Sequence, residues 1–267
     1  MPNPNMIPRF IASRGSDCPD AYLVLRGPSA PVLFVVHGIS RNAAEIAARF
    51  AENPAFNGWN IVAPLFEKGR FGKYQQMVAR PGQTRSDIAM LALAAAMRDD
   101  YGLDCDLLSL FGFSGGAQFV HRFAMLYPEY VRSVVSVSAG WYLMPQQDLP
   151  WPFGMGEGCP AEPRLRAALS VPMTVIVGDH DLRIDGSVRQ TPMINMLQGD
   201  TRLRRAKRWT KAMKAAANEL GQPSCVNLRL LANGVHDFGI CARSTDMLNI
   251  VADTLVGGNK EIWPLTA

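Results

Sequence analysis

Short apolar runs bounded by glycine or proline alternate along this chain with longer stretches whose apolar residues recur every three or four positions. The first pattern predicts strands and the second predicts helices. Residues 21–26 alternate loosely. Residues 31–36 (PVLFVV) form a continuous apolar run ending in His37-Gly38, which suits a strand buried on both faces. Residues 42–52 (NAAEIAARFAE) have helical spacing, with Asn42 placed to cap them. A strand over 59–66 follows, then a polar loop containing Gly69, Gly72, Pro81 and Gly82. The spacing next predicts a helix over 86–100, a strand over 107–113 and a helix over 115–127 that stops before Pro128. Strands over 131–138, 172–177 and 226–231 complete the set.

Strands alternating with helices in this order predict an α/β fold, with a mostly parallel sheet covered on both faces. Ligands in such folds sit at the carboxyl ends of the strands, so the chemistry is expected in the loops that follow them. With no repeat and no linker, residues 1–267 are expected to form one domain. The compositional break is residues 140–170, rich in proline, glycine and aromatics. At about 30 residues it is too small for a domain and has the size of a short cap over a pocket.

Composition narrows the classes. Hydrophobic residues make up 48% and charged residues 19%, a globular balance, and no segment is long and apolar enough for a membrane span. A net charge of +4 is too slight to imply nucleic acid, and no nucleic-acid-binding motif is present. The dense basic run Arg202, Arg204, Arg205, Lys207, Arg208, Lys211 and Lys214 alternates with Leu203, Ala206, Trp209, Met213 and Leu220. It predicts an amphipathic helix with a solvated basic face, an anionic partner being the lesser reading. Residues 1–10 lack the apolar core of a signal peptide, so a cytoplasmic address is expected. The five cysteines (Cys18, Cys105, Cys159, Cys225, Cys241) have no metal-binding spacing and fit reduced thiols, with a single bridge such as Cys225 to Cys241 left open. No metal and no cofactor are expected.

The chemistry is sought first at Gly112-Phe113-Ser114-Gly115-Gly116, which lies between a predicted strand and a predicted helix. A sharp strand-to-helix turn strains the serine backbone and leaves no room for side chains at Gly112 and Gly116. Neither phosphate-loop nor dinucleotide-binding glycine spacing is present. A serine hydroxyl needs a base, and the base needs an orienting carboxylate. Of four histidines, His121 lies two turns along the helix after Ser114 and reads as packing. His37 ends a buried strand, His180 sits between two aspartates, and His236 follows the last predicted strand, where a base belongs. For the carboxylate, residues 172–177 run into Gly178-Asp179-His180-Asp181. Asp179 can brace the turn, Asp181 reaches farther toward a neighbouring loop and is preferred, and Asp185 is third.

The order Ser114, Asp181, His236, with the G-x-S-x-G turn, the early His37-Gly38 and the later G-x-x-D at 178–181, resembles the α/β-hydrolase superfamily over residues 21–256. The resemblance implies a serine esterase with the α/β-hydrolase fold and selects Asp181 as the acid. It also implies an oxyanion hole from the N–H groups of Gly115 and Ile39, with His37 shaping its loop. The HGGG of some lipases is absent; the chain reads His37-Gly38-Ile39-Ser40. The turn G-F-S-G-G-A-Q-F and the ending G-V-H-D-F are similar to the polyhydroxyalkanoate-depolymerase-like and feruloyl-esterase-like branch.

Ser40, or Arg41 next to it, is a candidate substrate contact. Trp141, Tyr142, Trp151 and Phe153 of the insertion, with Met144 and Met155, either line an acyl or aryl pocket or form a cluster that pins the loop. The expected substrate is a small-molecule or polymeric ester, with thioesters, amides and a non-catalytic binding role on the same scaffold as alternatives. The sequence leaves the oligomeric state open.

Overall fold

The continuous apolar runs become the middle of a sheet. A computed structural model describes residues 7–257 except 185 and 187. Asp185 and the first part of the N-terminal segment therefore lie outside the described residues. Strands β1 (Arg9–Ile11), β2 (Asp20–Val24), β3 (Val32–Val36), β4 (Asn60–Leu65), β5 (Leu108–Phe113), β6 (Val131–Val137), β7 (Met173–Gly178) and β8 (Val226–Leu231) form one eight-stranded sheet in the order β1-β2-β4-β3-β5-β6-β7-β8. β1 and β2 are antiparallel to their neighbours, and β4 through β8 pair in parallel. This is the α/β-hydrolase architecture that the motifs imply.

The helices are α1 (Ala43–Glu52), α2 (Ser86–Tyr101), α3 (Gly115–Leu126), α4 (Leu165–Ser170), α5 (Pro192–Gln198), α6 (Arg202–Glu219), α7 (Phe238–Ser244) and α8 (Met247–Gly257). Period two of the strands divides the core between the two faces. Val32, Phe34 and Val36 of β3 join Met90 of α2, Phe119 of α3 and Trp209 of α6, while Leu33 and Val35 join Phe50 of α1 and Val251 of α8. All five residues of β3 are consequently buried, which is why that run carries no polar alternation.

Several details depart from the sequence reading. Asn42 precedes α1 but makes no side-chain cap; its side chain joins Ser40 and Glu45 instead. The basic helix α6 is not solvated along its whole charged side, because Arg202 and Arg205 are fully buried. Arg205 fits among the carbonyls of Gly199, Gly140 and Arg189 and the Asn195 side chain. All five cysteines are free. Among the described residues no helix is long and apolar enough to cross a membrane.

Strand order places β3 beside β5, with β4 on the far side of β3. The chain reverses its direction of winding there, so a crevice opens beyond the carboxyl ends of β3 and β5. The loops after β3, β5, β7 and β8 carry Ile39, Ser114, Asp181 and His236 respectively.

Candidate active site

Ser114 stands between β5 and α3 with φ 55° and ψ −110°, a backbone conformation costing an L-residue on the order of 1–3 kcal/mol. Neighbouring glycines make the turn sterically feasible. A Cβ on Gly112 would lie 2.3 Å from the Gly116 carbonyl carbon, and one on Gly116 would lie 2.0 Å from the Val36 oxygen. The turn is tied to the sheet by the Ser114 N–H, which donates to Val137 O at 2.9 Å.

The loops bearing Asp181 and His236 meet at two further glycines. A Cβ on Gly178 would lie 2.1 Å from Gly234 O, so neither loop tolerates a side chain at the crossing. The His180 N–H donates to Gly234 O at 3.1 Å, and the Asp179 N–H donates to Leu231 O at 3.1 Å. This contact brings Asp181 against His236, 55 residues away in sequence.

His236 Nδ1 lies 3.1 Å from Asp181 Oδ2, and its Nε2 lies 3.0 Å from Ser114 Oγ. Facing an ionised carboxylate, Nδ1 carries the proton, which leaves Nε2 to accept from the serine hydroxyl. The Phe113 ring stacks on the imidazole at 5.4 Å between centroids. Asp181 is fully buried and also takes Arg202 Nη1 on Oδ1 at 2.9 Å, together with a hydrogen bond from Ser138. Burial pushes its carboxyl up, but hydrogen bonding and charge from His236, then Arg202, then Ser138 prevail and hold it below the usual value.

Ile39 and Gly115 face one another beside the serine: a Cβ on Gly115 would lie 3.3 Å from Ile39 N. Neither N–H donates to another group among the described residues. The loop carrying Ile39 is fixed from below. His37 Nδ1–H donates to Gly38 O at 2.8 Å, His37 Nε2 accepts from Phe66 N–H at 3.0 Å, and the Tyr74 hydroxyl donates to His37 O at 2.5 Å. Desolvation lowers the His37 pKa to about 4, so its imidazole is neutral.

A cavity of about 410 Å³ opens at Ser114, lined by Gly38, Ile39, Ser40, Asn42, Glu45 and Phe113 on one side and by His236, Asp237, Phe238 and Gly239 on the other. Ser40 is thus at the cavity. Trp141, Tyr142, Trp151 and Phe153 are not among its lining residues. Trp141 lies under the Arg122 guanidinium at 4.3 Å and beside Phe153 at 5.5 Å, Tyr142 stacks on Trp209 at 4.8 Å, and Trp151 donates from Nε1 to Gln76 O. Of the two readings of these aromatics, the structure displays the packed cluster. His121, 22 residues from Leu143, accepts its N–H at Nε2 and so holds the insertion to α3.

Sequence reasoning missed Phe113, Glu45, Asp237 and Phe238 as lining residues, and Arg202 and Ser138 as partners of Asp181. Asp237 and Phe238 had a signal in their adjacency to His236; Arg202 had none, being hidden in a helix of basic residues. Among the described residues no three His, Cys, Asp or Glu side chains are grouped to hold a metal ion.

No protein-family model matches the chain, and neither does any curated protein sequence. Solved structures do. LpqC, a poly(3-hydroxybutyrate) depolymerase from Bordetella parapertussis, is 26% identical with a TM-score of 0.79, over 94% of this chain and 90% of that one. Poly(aspartic acid) hydrolase-1 from Sphingomonas sp. KT-1 is 21% identical with a TM-score of 0.75, over 96% and 98%. An S-formylglutathione hydrolase from Agrobacterium tumefaciens is 13% identical with a TM-score of 0.58, over 96% and 94%, a likeness of fold.

Proposed function

We propose that this chain, which has the α/β-hydrolase fold and hydrolases and esterases among its structural neighbours, hydrolyses carboxylic esters through an acyl-enzyme on Ser114. The observation that carries this reading is the hydrogen-bond chain from Ser114 Oγ through His236 to Asp181, opening on a cavity beside two undonated N–H groups.

In this mechanism His236 Nε2 takes the hydroxyl proton as Ser114 Oγ attacks the ester carbonyl, and Asp181 stabilises the imidazolium that forms. The oxyanion is bound by the N–H groups of Ile39 and Gly115. Collapse of the tetrahedral intermediate expels the alcohol, which leaves with the proton from His236. Water then attacks the acyl-enzyme with His236 again as base, and the acid departs as Ser114 regains its proton.

The lining favours a neutral substrate. Its charged residues are the carboxylates Glu45 and Asp237, while Phe113, Phe238 and the 51%-exposed Ile39 offer apolar contact. A neutral aliphatic ester, including a polyester chain of the kind named for LpqC, suits this surface better than the polyanion named for the Sphingomonas enzyme. The test is Ser114→Ala: kcat on a short-chain p-nitrophenyl ester should fall roughly 10⁴- to 10⁶-fold with the circular dichroism unchanged. An undiminished rate in the folded variant sinks the assignment.

A further inference from the structure

We propose that Arg202 is a positioning residue for the acid of this site: it anchors one oxygen of Asp181 so that the other faces His236, and its charge lowers the pH at which His236 becomes a base. The proposal rests on the reading of Ser114, His236 and Asp181 given above.

Arg202 opens α6, 21 residues after Asp181, and its Nη1 meets Asp181 Oδ1 at 2.9 Å with side-chain exposures of 1% and 0%. Its neighbour Arg204, two positions on, keeps a side chain 66% exposed and pairs with Asp200 at the surface. Arginine seldom leaves water completely, because removing a guanidinium from solvent costs several kcal/mol unless a charge and good geometry offset it. The location of this burial is therefore informative: the helix directs a cation from its solvated basic series to the carboxylate that touches His236.

Two consequences follow for the imidazole. A carboxylate that shares its charge with a guanidinium stabilises the adjacent imidazolium less than an unshared one does, and the guanidinium itself repels that imidazolium. Both effects favour loss of the proton from His236. A carboxylate held at both oxygens also cannot turn away from Nδ1, since Oδ1 is occupied by Arg202 while Ser138 adds a further donor. The other titratable or charged groups near the pair include Tyr142 from the insertion, Cys241 from α7 and Asp237 at its N-cap, the buried Arg205 one turn along α6 from Arg202, and Asp179 and His180 on the loop of Asp181 itself. Burial pushes the Tyr142 hydroxyl and the Cys241 thiol up, so both stay neutral. Asp237 acts against Arg202 from the cavity side. Among the described residues, Arg202 is the permanently charged cation paired with Asp181.

The rate at which a fluorophosphonate labels Ser114, measured against pH in the full chain, separates this proposal from the one it rests on. Failure of the folded wild type to label overturns the reading of the site itself. If the wild type labels, Arg202→Gln, whose amide can still donate to Asp181, should move the acid limb up by about half to one pH unit with a nearly unchanged plateau. Arg202→Met removes anchor and charge, so the limb should move likewise and the plateau should fall about tenfold to a hundredfold. Arg202→Lys keeps the charge and should leave the limb in place. Should Arg202→Met not fold, Arg202→Gln decides: an acid limb coincident with wild type overturns the role of Arg202, because a merely structural arginine would not set that limb.

Discussion

Three histidines of this chain are each held by two hydrogen bonds, and what lies on Nε2 separates them. His37 Nε2 accepts from Phe66 N–H and His121 Nε2 accepts from Leu143 N–H, while Nδ1 of each donates to a main-chain carbonyl. Their rings serve as neutral connectors between backbone segments. His236 presents Nε2 to a hydroxyl instead. The first two have a consequence for stability. Desolvation lowers the His37 pKa from 6.5 to about 4 and that of His121 well below 6.5. As pH falls through this window the unfolded chain takes up protons that the native state refuses, so stability declines; for His37 alone the loss reaches about 3 kcal/mol. Above the unfolded value neither residue contributes. Asp181, held below the usual carboxylate value, adds a further loss in stronger acid, because its stabilisation disappears as pH drops through the native value. The urea midpoint should accordingly fall between about pH 7 and about pH 5 with the slope m unchanged. A midpoint that ignores pH would contradict the neutral connectors.

At the scale of elements, the site is set by where strands end and by which loops can touch. Gly178 and Gly234 allow the loops after β7 and β8 to cross in direct backbone contact, and the crossing fixes Asp181 against His236. Gly178→Ala places a methyl 2.1 Å from Gly234 O, which forces the loops apart. Overpacking of that kind costs about 1–3 kcal/mol. The displaced carboxylate should lower esterase kcat by about tenfold to a hundredfold, with KM less affected. Gly58→Ala, with nothing within 4 Å, is the matched control; equal rates for the two variants would remove the crossing from the mechanism. The sequence made the central strands and long helices legible because burial on both faces writes itself as unbroken apolar runs. β1, α4 and α5 escaped because three to seven residues are too few to establish a period. The buried half of the basic run on α6 escaped for a different reason. Charge count along a helix reports what the residues are, whereas the burial of Arg202 and Arg205 depends on a carboxylate and a set of carbonyls brought there by other segments.

For the whole molecule, the same distinction governs the substrate. The glycine-framed serine, the histidine after the last strand and the aspartate of G-x-x-D were legible as a candidate site, since each is marked by its place in the strand order. The cavity was not, because its walls come from the loop after β3, the start of α1 and the start of α7, none of which signals the others in sequence. The insertion had the aromatic composition of a pocket wall, yet its rings pack with Arg122, His121 and Trp209. The chain carries a net charge of +4, but the charge a substrate meets beside His236 is that of Glu45 and Asp237. Glu45 Oε1, Arg243 Nη1 and Asp237 Oδ1 converge around Gly239, so Arg243 lies near both carboxylates. A neutral p-nitrophenyl ester should therefore exceed in kcat/KM an ester of equal length ending in a free carboxylate, by about tenfold at low ionic strength, with the gap narrowing as salt is added. Asp237→Asn retains a side-chain oxygen to cap α7, where Asp237 Oδ1 accepts from Ile240 N–H at 2.7 Å, and removes the charge. It should close part of the gap by raising the rate on the anionic ester relative to the neutral one. If the anionic ester is instead the better substrate of the wild type, the lining does not set substrate charge, and a polyanionic chain becomes the reading to pursue.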